Sequence, residues 1–190
     1  SIGTAVAIVR EDTPDDKRIV AYLTNPSDDA SQTGNDQTQA VQWGEIWDSF
    51  YEGEAQDAAR DLLDDPTFNI RGWKNSYTDE QIPEAEMREW LHHTIERINR
   101  HNPAEPKSAN VLEIGCGTGM ILFRVAPQAK SYTGLDISSA AIEHIHRHLG
   151  DPEIGLTNVE LLERRADELD DLPAGYYDLA IINSVSQNFP

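Results

Sequence analysis

The chain has 190 residues, 38% of them hydrophobic, and a formal net charge of −19. That length suits one ordinary domain with an appendage, and the modest apolar content predicts a stretch that packs poorly. The charge excludes a general affinity for nucleic-acid phosphates, since the electrostatic term is repulsive, and no apolar run approaches the ~18 residues of a membrane-spanning helix. Cys116 is the single cysteine, so no internal disulfide forms. That lone cysteine makes a cytoplasmic location the expectation, and no basic-then-apolar segment stands at the start.

Residues 5–9 and 18–23 are β-rich runs around a polar turn containing Pro14, which reads as a β-hairpin. Residues 25–39 hold almost nothing apolar and read as a linker. In residues 41–51, Val41, Trp43, Ile46, Trp47, Phe50 and Tyr51 recur near helical spacing. Such a stripe docks on a core or lies over a ligand, and the pattern serves both. Residues 65–81 are irregular, with Pro66, Gly72, Phe68, Trp73 and Tyr77, in the manner of a binding loop. A helix is predicted from Pro83, with Glu84 and Glu86 at its positive end and Arg97 and Arg100 at its negative end. Met87, Trp90, Leu91, Thr94, Ile95 and Ile98 form its apolar face, His92 and His93 lie at the surface, and Asn102-Pro103 with Pro106 stops it.

Strand and helix signals then alternate. Strands are predicted at 111–114, 131–136, 159–162 and 177–182, and helices at 120–125 and 138–149, the latter closed by Gly150. Residues 179–182 are continuously apolar, as expected for a strand covered on both faces. The fold class is α/β with a parallel, doubly wound sheet.

In Val111-Leu-Glu-Ile-Gly-Cys-Gly-Thr-Gly119 a strand runs straight into glycines and then a helix. Glycines there permit a sharp turn and a closer ligand approach than any Cβ allows. The spacing is one residue shorter than the GxGxxG of dinucleotide enzymes. Asp136 ends the second strand, where a carboxylate can accept both ribose hydroxyls. Asp167 follows the third strand, near the expected adenine edge, and taken alone it also reads as a solvated loop residue. Asn183 and Ser184 follow the fourth strand, at the carboxyl edge where open α/β sheets bind ligands. Together these positions predict a nucleoside site.

This glycine segment with Gly134-Leu-Asp136 resembles motif I and the acidic motif of class I, Rossmann-like S-adenosyl-L-methionine (AdoMet) methyltransferases. More narrowly, Gln42-Trp43, Phe68-Asn-Ile-Arg-Gly-Trp73, Ser76-Tyr-Thr78, Ile82-Pro83, Met87-Arg-Glu-Trp90, Glu160-Leu-Leu-Glu-Arg164 and Asn183-Ser-Val-Ser-Gln-Asn-Phe-Pro190 resemble the methyltransferase domain of nonribosomal peptide synthetases. In that family the domain is inserted in the C-terminal part of an adenylation domain, and the hairpin is similar to the adenylation segment before the insertion. The resemblance divides the chain into hairpin (1–24), linker (25–39), helical part (40–105) and AdoMet-binding core (106–190). It implies AdoMet as cofactor, held by Glu113, Gly115, Cys116, Gly117, Gly119, Asp136, Ile137, Ala166, Asp167, Asn183 and Ser184. Trp73, Tyr77 and Gln187 are candidates for the methyl and acceptor region, and no general base is identified. It further implies adjoining adenylation and peptidyl carrier domains as partners, and N-methylation of an aminoacyl or peptidyl group on the carrier's phosphopantetheine arm. O- or C-methylation of such a substrate, or a non-catalytic AdoMet-fold scaffold, shares the same motifs.

The chain departs from that family in lacking adenylation core motifs and in having Asn188 where an aromatic residue is usual. Ser1 in place of Met, and strands close to both ends, predict a piece of a longer polypeptide, inactive without further strands. Cys116 reads as a small loop residue, because glycines flank it and no base is near in sequence. His144 and His148 share a helix face without a third metal ligand and read as solvated.

Overall fold

The strand–helix alternation after residue 109 is realised as a four-stranded parallel sheet. The computed structural model describes residues 5–11, 17–23, 44, 47, 48, 65–75, 77, 78, 80–102, 105 and 107–185. The expected linker, Gln187 and Asn188 lie outside them. Two units are distinguished, Ser1–Gln37 and Thr38–Pro190. In the first, β1 (Ala5–Glu11) pairs antiparallel with β2 (Lys17–Leu23), Ala5 opposite Leu23 and Glu11 opposite Lys17, as the predicted hairpin requires.

In the second unit, helix α1 (Glu84–His101) starts one residue later than expected, because Pro83 stands at the N-cap with φ −55° and ψ 140° rather than inside the helix. Glu84 and Glu86 occupy the first turn and Arg100 and His101 the last, the arrangement a helix dipole favours. Met87, Leu91 and Thr94, spaced by four and three, form its buried line.

The sheet consists of β3 (Asn110–Ile114), β4 (Ser131–Asp136), β5 (Val159–Glu163) and β6 (Leu179–Ile182), in the order β5-β4-β3-β6. Helix α2 (Leu122–Val125), prolonged by a 3-10 turn at Ala126–Gln128, connects β3 to β4, and α3 (Ser139–Leu149) connects β4 to β5. The order reverses at β3, so a topological switch point lies between β3 and β6, where ligands of open α/β sheets bind. Val111 and Tyr132 face a core shared with Met87, Leu91, Leu122, Phe123, Ile142 and Ile145 from all three helices. Each large aliphatic side chain buried there contributes about 1.5–3 kcal/mol. The opposite face, with Leu112, Ile114 and Leu135, is covered by Leu162, Ala166, Leu169, Leu172 and Tyr177.

Two expectations are corrected. β6 is not covered on both faces: Ile181 is buried, whereas Ala180 and Ile182, which alternate with it onto the other face, are exposed, Ile182 by 52%. His144 is not solvated. It is buried, with Nε2 3.0 Å from the Pro66 carbonyl, which can only accept and so fixes the proton on Nε2. Burial lowers its pKa. No helix among the described residues is long and apolar enough to cross a membrane.

Candidate cofactor-binding site

The carboxyl ends of β3 and β4 bring the predicted glycine loop and Asp136 together. The Gly115 and Cys116 N–H groups both donate to the Leu135 carbonyl, at 2.8 and 3.0 Å, folding the loop back over β4. Gly117 turns with φ +51°, a left-handed conformation that favours glycine, and its N–H donates to Asp136 Oδ2 at 2.7 Å. Asp136 Oδ1 accepts from the Ser138 N–H at 3.0 Å. Burial raises the Asp136 pKa, the Ser138, Gly117 and Ile137 backbone groups lower it, and the Asp48 charge raises it again. The Gly117, Ser138 and Ile137 backbone groups together leave at least one of the roughly four positions at which an ionised carboxylate accepts.

Gly119 has φ +86°, and its missing side chain faces the core: a Cβ there would stand 3.0 Å from both Ile145 Cγ1 and Phe123 Cε2. It serves helix packing. Cys116 is a buried free thiol whose pKa is raised by burial and by the Asp136 and Glu113 charges, which leaves it inert as a nucleophile. Glu113 is 2% exposed and accepts the Tyr132 hydroxyl at 2.6 Å. Burial drives its pKa to about 8, against the lowering effect of that bond, so at neutral pH it is largely uncharged.

The remaining candidates are more dispersed. Ala166 packs on the second core cluster. Asp167 is exposed after β5, with Arg165 donating to both its oxygens at 2.9 and 2.6 Å, which lowers its pKa. Asn183 Nδ2 donates to Ser184 Oγ at 3.2 Å just beyond β6. Trp73 packs against Trp90 at 4.8 Å between ring centroids. Tyr77 is 98% exposed.

Residues 65–68 are tied to the loop's far side. Arg124 Nη1 donates to the Thr67 carbonyl at 2.8 Å and to the Met120 carbonyl at 2.9 Å, and the Arg88 guanidinium lies 4.1 Å over the Phe68 ring.

Sequence reasoning missed Asp48, whose Oδ1 accepts from Ser138 Oγ at 2.7 Å and from the Ala140 N–H at 3.3 Å. Ser138 Oγ in turn accepts the Ala141 N–H, so Asp48 reinforces the N-cap of α3 beside Asp136. Helical Gly44 sits on the same place, its Cβ position 3.6 Å from Ile137 Cγ1. No local signal links residues 90 positions apart, although a Ser before a helical run does mark Ser138. Val185 was missed too: a Cβ on Gly115 would stand 2.6 Å from its Cγ2.

Residues 112–190 match the family described as "Methyltransferase domain". This segment is a methyltransferase domain. Along its whole length the chain is similar to chondramide synthase cmdD of Chondromyces crocatus, with 38% identity, and to nonribosomal peptide synthetase kk1B of Curvularia clavata, with 31%. It spans 5% and 1% of those two proteins. Its fold is similar to that of geranyl diphosphate C-methyltransferase from Streptomyces coelicolor, solved with S-adenosyl-L-homocysteine, at a TM-score of 0.54 and 15% identity over 79% of this chain and 55% of that one. The sheet and helices are thus those of the class I, Rossmann-like methyltransferase fold. The site suits a nucleoside sulfonium: a left-handed glycine turn beside a strand-end carboxylate with acceptor capacity left.

Proposed function

We propose that this methyltransferase domain binds AdoMet and N-methylates an aminoacyl or peptidyl group carried on the phosphopantetheine arm of a nonribosomal peptide synthetase. The observation that carries the cofactor is the Gly117–Asp136 clamp at the carboxyl ends of two parallel strands next to the switch point. The end-to-end similarity to a nonribosomal peptide synthetase supports the setting, with adenylation and peptidyl carrier domains as neighbours in the cytoplasm.

When bound, AdoMet supplies an electrophilic methyl group with its leaving group already built in. The protein's task is therefore alignment. Asp136 would hold the ribose hydroxyls, the Gly115–Gly119 backbone would take the methionine portion, and Ile137, Ala166 and Asp167 would take the adenine. Glu113, held neutral by burial, shapes the floor through its bond from Tyr132 rather than through charge. Asn183 and Ser184, just beyond β6, would complete the surroundings of the cofactor.

The test incubates the full-length protein, loaded with its aminoacyl group, with AdoMet carrying a deuterated methyl, and locates the label by mass spectrometry. Label on the amino nitrogen is expected. Label on oxygen or carbon reassigns the acceptor, and no transfer from a protein that binds AdoMet makes the domain a scaffold.

A further inference from the structure

Where β3 leaves the sheet beside β6, the space next to the first glycine of the loop is taken by one side chain. Gly115 leaves β3 with φ +76°, and the space its Cβ would take is filled by Val185: Cγ2, Cβ and Cγ1 lie 2.6, 2.8 and 3.0 Å from that position. The first two distances are shorter than real Cβ contacts, so a Cβ at 115 and Val185 in this place are mutually exclusive. Glycine at 115 is thus required on the β6 side by a protein side chain, in addition to any ligand on the cofactor side.

Val185 reaches the notch through an unusual backbone. Ser184 has φ +55°, a left-handed conformation that non-glycine residues seldom adopt. Such strain persists where the surroundings impose it, and it gathers at functional sites. Here β6 ends at Ile182, Asn183 bonds to Ser184 Oγ, and the kink at Ser184 turns Val185 inward onto Gly115. β3 and β6 are hydrogen-bonded neighbours, with Ile114 opposite Ile182, so the two strand ends leave the sheet side by side.

We infer that Val185 is a positioning residue for the cofactor loop: plugged into the notch of Gly115, it holds the loop's left-handed turn closed from the β6 side. The inference rests on the AdoMet reading of the loop. Val185 touches the loop's first glycine, whereas Asp136 holds its second, so the loop is gripped from both neighbouring strands.

The test measures S-adenosylhomocysteine affinity by calorimetry on the full-length protein, with circular dichroism on each sample. Val185→Ala removes the plug and is expected to weaken binding about tenfold, while Val185→Thr, which keeps the branched shape, stays within about twofold of wild type. Gly115→Ala forces a Cβ into Val185 and is expected to weaken binding about a hundredfold or more. In that background Val185→Gly, which also removes the Cβ 2.8 Å away, should change sign and recover about tenfold, the remainder being backbone strain at Gly115. Val185→Ala binding as tightly as wild type in the Gly115 background, or Val185→Gly failing to recover affinity in the Gly115→Ala background, overturns the inference. Failure of the wild type to bind S-adenosylhomocysteine at all overturns the AdoMet reading beneath it. If Gly115→Ala does not fold, the Ala and Thr pair at Val185 alone decides.

Discussion

The Gly117 backbone N–H donates to Asp136 Oδ2 at 2.7 Å, joining residues 19 positions apart at the ends of adjacent strands. The carboxylate therefore fixes the glycine turn, and in the proposed reading its remaining acceptor capacity is the ligand's. Asp136→Asn replaces one acceptor oxygen by a donor that faces an N–H. Hydrogen bonds to charged groups are worth about 1.5–3 kcal/mol, so S-adenosylhomocysteine affinity should fall roughly tenfold to a hundredfold by calorimetry. Gly117→Val adds a branched side chain at φ +51°, costing about 1–2 kcal/mol in backbone strain alone, and should abolish binding while circular dichroism still reports a folded domain. Unchanged affinity in either variant would show that the loop is not the cradle.

Glu113 gives the fold a distinctive pH dependence. Its folded pKa of about 8 lies above the ordinary 4.5, so the folded state binds the extra proton. The stability from this group is complete below about pH 4.5 and is lost as pH rises through about 8, with a slope of at most about 1.4 kcal/mol per pH unit. Calorimetric unfolding from pH 5 to 9 should show this decline in wild type, and Glu113→Gln should flatten it. An equal decline in both proteins would place the titration elsewhere.

Asp48 staples its helical segment to the start of α3 through Ser138 Oγ and the Ala140 N–H. Asp48→Ala should cost about 1 kcal/mol of stability, the usual worth of a helix cap. It should also lower the Asp136 pKa by removing a neighbouring like charge. The first effect is read from thermal unfolding and the second from the acid limb of S-adenosylhomocysteine binding. No change in either would show that the contact is not maintained in solution.

Thr94 Oγ1 is buried on α1 with no hydrogen-bond partner among the described residues. Thr94→Val keeps the shape and removes the unsatisfied hydroxyl, so the domain should gain about 1–3 kcal/mol. A loss of stability in chemical denaturation would mean that the hydroxyl is bonded.

What the sequence made legible was local. The four strands, the hairpin, α1 and α3, the glycine turn and Asp136 all announce themselves through periodicity, caps and strand-end position. Asp48 and Val185 were not legible, because their partners Ser138 and Gly115 are 90 and 70 positions away and no periodic pattern carries such a pairing. The burial of His144 was hidden for a related reason: its neighbour is the Pro66 carbonyl, from a loop whose path no propensity predicts. The apolar run at 179–182 implied cover on both faces, yet a hydrophobic pattern records preference and not occupancy, and Ile182 is half exposed.

The central claim is that this cleft takes AdoMet rather than a dinucleotide, and competitive calorimetry on the full-length protein tests it most directly. AdoMet and S-adenosylhomocysteine should both bind, Asp136→Ala should weaken both strongly, and NAD should neither bind nor compete. Tight binding of NAD with none of AdoMet would contradict the account.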